Sequence, residues 1–150
     1  MPALRLIEHF DQTVIRWLKK YHDALARIAL FIVFFWFGIL KVILVSAANP
    51  LVSDLLHKTL PFITFHTFII CFGLYEMLIG LLFLIPGQER LAIALLIPHM
   101  IMTILPLFLL PTITWQGFMI PTLEGQYIIK NVVIIALAFT VAARLHPIKL

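Results

Sequence analysis

Residues 24–47 read ALARIALFIVFFWFGILKVILVSA, an apolar run broken only by Arg27 near its start and Lys41 near its end. About 20 mainly apolar residues let a helix cross the roughly 30 Å hydrocarbon core of a bilayer. The run is therefore read as a membrane span. A secretory leader is the rival reading, because Val45-Ser46-Ala47 has the small side chains of a cleavage site. The apolar stretch is too long for a leader's hydrophobic region and begins too late.

Three further runs share this character, at 61–85, 91–110 and 126–143. The expected fold class is an all-α membrane protein, a single domain over 1–150 built as a four-transmembrane-helix bundle. Composition points the same way: 63% of the 150 residues are hydrophobic, 12% are charged and the mean hydropathy is +1.09. A soluble domain carries about twice that share of charge. The single cysteine, Cys71, excludes a disulfide framework and a Cys-x-x-Cys redox pair. Within its apolar run it is expected to be a small buried residue. The net charge of +4 arises from basic residues flanking apolar runs, with no basic stripe carrying interleaved aromatics. The expected partner is therefore the lipid bilayer, and no nucleic acid.

Lysine and arginine also orient the chain. Arg5, Arg16, Lys19, Lys20, Arg27, Arg90, Arg144 and Lys149 fall on one side of the four spans, and Lys58 alone falls on the other. By the positive-inside rule, both termini and the turn at Gly87 are expected in the cytoplasm, in a bacterial inner membrane.

Before the first span, Leu4, Ile7, Phe10, Val14, Trp17 and Tyr21 recur at intervals of three and four, opposite Arg5, Glu8, Asp11, Arg16 and Lys19. Residues 1–23 are read as an amphipathic surface helix. In the first outer loop, Asn49-Pro50 is expected to cap and open a short amphipathic helix. The second outer loop, 111–125, is apolar with Trp115 and Phe118 near its middle, and is expected to fold back over the bundle mouth. Pro98 and Pro106 are each expected to break the ladder of span three locally. No internal repeat supports an inverted-repeat transporter.

Lys41, His66, Glu76, His99 and Lys130 are the ionisable residues within the spans. A central charge costs at least about 2.5 kcal/mol in hydrocarbon, so such groups face the bundle interior and find partners. From the helical rise, Glu76 and His99 fall in one layer, roughly 13 and 12 Å from the inner ends of their spans. Lys130, Lys41 and His66 come out roughly 21, 25 and 28 Å from the inside. That outer group, with Glu124, Gln126 and Tyr127, is read as the polar lining of a ligand-binding pocket open toward the outer face, to which Glu76 and His99 are also assigned. Against this stand plainer readings: Glu76 with His99 as a structural pair fixing helix register, and Lys41 and Lys130 as snorkelling side chains. His9, His22, His57 and His146 lie outside the spans. No histidine pair at ligand spacing with an acidic partner suggests a metal site, and no phosphate loop, nucleophile elbow or paired catalytic carboxylates occur.

The segments Phe35-Trp36-Phe37-Gly38-Ile39-Leu40-Lys41 and Gly73-Leu74-Tyr75-Glu76-Met77-Leu78-Ile79-Gly80 resemble the DoxX-like family of small four-helix membrane proteins. There, a Gly-x-x-Lys stretch in the first span and a Gly-x-x-Glu-x-x-x-Gly setting in the second recur. Pro121-Thr122-Leu123-Glu124-Gly125-Gln126-Tyr127-Ile128-Ile129-Lys130-Asn131 is similar to the loop-to-helix segment opening the last span in that family. The matched positions are Lys41, Glu76 and Lys130, within a resemblance covering roughly 24–143. It implies subunits of thiosulfate-quinone oxidoreductases, companions of oxidative-stress enzymes or, in distant eukaryotic relatives, membrane chaperones and cargo receptors. The cysteine pairs of some redox-linked relatives are missing here.

Two functions follow as expectations. One is a non-catalytic binding or scaffolding module for a lipid, a quinone or a partner membrane protein. The other is a quinone-binding oxidoreductase subunit in which Glu76 and His99 are the candidate catalytic residues, exchanging protons while a separate membrane-associated redox partner supplies electrons. A transporter or proton channel is weaker, because the two polar layers lie roughly 8 Å apart with nothing bridging them. Gly73 and Gly80 suit packing within the bundle or between protomers of a homo-oligomer.

Overall fold

The first long helix, α1, runs uninterrupted from Pro2 to Val42. The expected break between a surface helix and a span near residue 23 is not present. Nothing local demands one, since no Gly or Pro occurs between Pro2 and Gly38. The computed structural model describes residues 2–145, with side chains from Arg5 onward. The Leu4 side chain, His146 and Lys149 lie outside the described residues.

The helix stops five residues short of the expected boundary at 47, for a local reason. Leu44 takes a left-handed φ of 63°, Val45 N–H donates to the Leu40 carbonyl at 2.9 Å and Leu44 N–H donates to that of Lys41 at 3.0 Å. These two bonds satisfy carbonyls that end a helix, in the manner usually entrusted to glycine. A second helix, α2, follows at Asn49–Thr59. Its N-cap is Ala48, without a side-chain cap bond, and Asn49 is already the first helical residue. The Asn49 amide instead reaches back to donate to the Leu44 carbonyl at 3.0 Å.

The next span, α3 (Phe65–Leu84), is capped by Thr64, whose hydroxyl accepts from Thr67 N–H. Gly87, with φ 87°, turns the chain into α4 (Glu89–Ile104). The two prolines of this span behave differently. Pro98 is accommodated inside α4, whereas Pro106 ends the helix and opens a further turn, α5 (Pro106–Leu109). A second short turn, α6 (Pro111–Thr114), leads into a two-stranded antiparallel hairpin, β1 (Trp115–Gly117) and β2 (Ile120–Pro121). The hairpin was not read from the sequence. Its tip residue Phe118 is 96% exposed, while Trp115 Nε1 donates to the Leu107 carbonyl at 3.0 Å.

The last span, α7 (Leu123–Ala142), opens on Thr122, whose hydroxyl accepts from Gly125 N–H and donates to the Ile113 carbonyl at 2.7 Å. A Cβ at Gly125 would collide with the Thr114 carbonyl, so this glycine lets α7 start directly beneath α6.

Four helices are long and apolar enough to cross a membrane: α1, α3, α4 with α5, and α7. The protein is thus an all-α bundle of the kind that fits an integral membrane protein. α3 packs on α1 and α4, and α7 closes the ring against both. Lipid tails are as apolar as leucine, so such a bundle holds by close packing and interhelical polar contacts. Packing is densest toward the Arg27 end, where Leu30, Ile79, Phe83, Ala92 and Val141 are almost wholly buried. There Arg27 donates to the Phe83 carbonyl at 2.7 Å and pairs with Glu89 at 2.6 Å, tying α1 to both sides of the Gly87 turn.

Candidate functional site

α1 and α3 run antiparallel along a seam of small residues. A Cβ at Gly38 would lie 2.6 Å from the Gly73 carbonyl oxygen, and a Cβ at Gly73 would lie 2.7 Å from that of Gly38. Two turns further toward the Arg27 end, a Cβ at Gly80 would lie 3.0 Å from Phe35 N and 3.1 Å from the Phe31 carbonyl oxygen. These glycines therefore serve contacts within the bundle. Such close backbone approach brings the side chains flanking Gly38 and Gly73 into the interior.

Those side chains are Lys41 and Glu76, and α4 adds His99. Lys41 Nζ donates to Glu76 Oε2 at 2.6 Å, and His99 Nε2 donates to Glu76 Oε1 at 2.8 Å. The three side chains are only 7%, 6% and 3% exposed. A carboxylate accepting at both oxygens places an imidazole proton on Nε2, with Nδ1 as the ring's other polar atom. That Nδ1 is buried and has no hydrogen-bond partner among the described residues.

Aromatic rings wall the triad. Phe72 stacks on His99 with centroids 5.1 Å apart and planes within 5°, and Lys41 Nζ lies 5.6 Å from the Phe72 centroid. Phe34 meets the imidazole in a T-shaped contact at 5.2 Å. Tyr75 stands 6.2 Å from it and donates its hydroxyl to the Leu95 carbonyl at 2.6 Å. The sequence reading overlooked these rings, although Phe72 precedes Glu76 by one helical turn and therefore shares its face.

Lys41 thus leaves the outer group for the layer of Glu76 and His99. The depth estimate tracked Cα positions alone. Helical side chains lean toward the N-terminus of their own helix. In an antiparallel pair Lys41 and Glu76 lean toward each other, and a lysine side chain of roughly 6 Å closes the gap that the backbone rise left open.

The remaining members of the expected pocket do not converge. His66, Glu124, Gln126, Tyr127 and Lys130 are all exposed. Lys130 Nζ lies 5.2 Å from the centroid of the Tyr127 ring, one turn nearer the hairpin end, the posture of a lysine reaching along its helix toward an interface. Cys71 is exposed as well, not buried, because it lies on the side of α3 away from α1. Among the described residues, no group of three His, Cys, Asp or Glu could hold a metal.

The Arg27–Glu89 pair was also missed as a pair. Both residues sit at the starts of their spans on the same side of the bundle, and that shared depth was the available signal. Together with Asp23, Val141, Arg144 and Leu145 they line a shallow cleft of about 200 Å3.

Comparison with protein families, with curated proteins and with solved structures finds no match.

Proposed function

We propose that this chain is a DoxX-like integral membrane protein acting as a non-catalytic binding or scaffolding module for a lipid, a quinone or a partner membrane protein. The observation that carries this reading is the mutual pairing of Lys41, Glu76 and His99. Both carboxylate oxygens and the lysine ammonium are engaged within the protein, so this charge serves to lock three helices in register. The resemblance gains support from the contact between its two quoted motifs, since Gly38 packs on Gly73 and Lys41 pairs with Glu76. Placement in a bacterial inner membrane with cytoplasmic termini rests on the asymmetry of lysine and arginine. Links to oxidative-stress or redox physiology, and homo-oligomerisation, belong to the same proposal.

One observation favours the second reading, a quinone-binding subunit of an oxidoreductase. His99 Nδ1 is a buried ring nitrogen without a hydrogen-bond partner among the described residues, one imidazole away from a carboxylate, an arrangement suited to relaying a proton. Reducing a quinone would also require two electrons from the separate redox partner.

Native mass spectrometry with lipid and quinone extraction tests both, on the wild type and on Glu76→Gln and Lys41→Met, with helicity checked by circular dichroism. The scaffold reading expects the same bound lipids or partners in every folded variant. Quinone that co-purifies with the wild type and is lost from a folded variant would place the triad at a quinone and favour the redox subunit, to be followed by a search for its electron donor.

A further inference from the structure

Along α1 before Asp23, Ile7, Phe10, Val14, Trp17 and Tyr21 form an apolar stripe, and every one is exposed. The phase of this stripe relative to the bundle is informative. Trp17, Tyr21 and Leu25 each precede a buried residue, Ala26, Leu30 and Phe34, by nine positions, about two and a half turns. The stripe therefore points away from the bundle. Within the span, exposed Ile28 and Ile32 continue the same side, which is the side facing lipid.

With 41 residues, α1 is about 60 Å long, twice the roughly 30 Å hydrocarbon core. Its N-terminal half must therefore emerge from the core. If α1 leans away from the bundle, the apolar stripe lies down on the adjoining leaflet. If it leans toward the bundle, the opposite side bearing Gln12, Arg16 and Lys19 is presented instead. Lacking Gly or Pro between Pro2 and Gly38, the helix offers no kink point and meets the leaflet by tilt and smooth curvature. Contact is then closest at Tyr21 and Trp17 and declines toward Ile7.

Trp17 and Tyr21 lie with ring centroids 5.3 Å apart, and Lys20 Nζ lies 5.1 Å from the Tyr21 centroid. Aromatic rings of this kind favour the headgroup level. Lys20, in the turn that holds both rings, flanks the stripe and suits anionic headgroups, at about 1 kcal/mol per basic residue near the surface, while Arg16 and Lys19 add positive charge from the opposite side. A second copy of the arm would bring these like charges together. We propose that the N-terminal half of α1 is a lipid-docking arm that leans away from the bundle and seats Trp17 and Tyr21 among the headgroups of an anionic leaflet. The orientation proposed above makes this the inner leaflet; the docking does not depend on what the Lys41–Glu76–His99 layer does.

The test uses the full chain with Cys71→Ser and single spin-labelled cysteines at positions 10, 12, 17, 19 and 21. Each is placed in nanodiscs of phosphatidylcholine with or without phosphatidylglycerol, and collisions with oxygen and with a water-soluble nickel chelate are compared. With phosphatidylglycerol, the oxygen-to-nickel ratio is expected to be several-fold higher at 17 and 21 than at 12 and 19, with 10 in between. Equal nickel access at all five sites would mean that the arm stands in water and would overturn the proposal. Exclusion of both reagents at 17 and 21 would overturn it in favour of a protein partner, and ratios unchanged without phosphatidylglycerol would overturn the anionic requirement.

Discussion

Two lysines sit within spans of this bundle and meet opposite fates. Lys41 is 6% exposed and paired with Glu76, whereas Lys130 lies exposed on α7 with the Tyr127 ring beside it. Neither the residue type nor the hydropathy of its surroundings separates them. The difference lies in what their helices allow. Beside Lys41, two glycines let backbones approach until no Cβ fits between them, and a carboxylate waits on the facing helix. Around Lys130 the neighbouring Gln126, Tyr127 and Val133 face outward with it, so its amino group turns along the helix. A charge in a span becomes internal where small residues admit a partner helix.

That contrast can be broken most severely at the seam. Gly73→Leu should prevent a normally folded bundle, because its side chain would strike the Gly38 carbonyl and part Lys41 from Glu76. Overpacking costs about 1–3 kcal/mol and loss of a buried ion pair about 3–5 kcal/mol. Size-exclusion profiles and thermal melts in detergent would register it, and a wild-type melt would refute the seam. Next in size, Glu76→Gln should destabilise by about 3–5 kcal/mol by leaving Lys41 buried without its counter-charge. The pair Lys41→Met with Glu76→Met should recover most of that loss in a double-mutant cycle; a double variant as unstable as Glu76→Gln would show that the charges do more than hold each other.

A smaller effect is expected from His99→Phe, which keeps the stack on Phe72 but removes one bond to a charged acceptor, worth about 1.5–3 kcal/mol. Chemical unfolding should place it between Glu76→Gln and wild type. Lys130→Met should leave the melting temperature where it was. A clear drop there would mean that the exposed lysine has a structural partner after all, and the contrast between the two lysines would fail.

Much of the architecture was legible along the chain. Continuous apolarity over about 20 residues is a local property, so four helices able to span a membrane could be read along the chain, and the short helix that begins at Asn49 could be read from its Pro50 and amphipathic pattern. Residues 115–121 gave no comparable signal. Their hairpin has strands of three and two residues, too short for alternation to register, and it is anchored by the bond from Trp115 to the distant Leu107 carbonyl. Pro98 and Pro106 look alike in the sequence, yet only the second ends a helix, because surrounding packing decides whether one lost ladder bond is tolerated.

The sequence by itself determined the helical class, the number of membrane-crossing segments and the polar residues that had to be accommodated within them. These follow from hydropathy and periodicity, which depend on near neighbours. Only the tertiary structure decided which polar residues meet. Glu76 takes Lys41 from α1 and His99 from α4, while Lys130 and Glu124 are left outside. That choice depends on helix phase, on the Gly38–Gly73 approach and on the opposed lean of side chains in antiparallel helices, none of which is a property of any one stretch of chain.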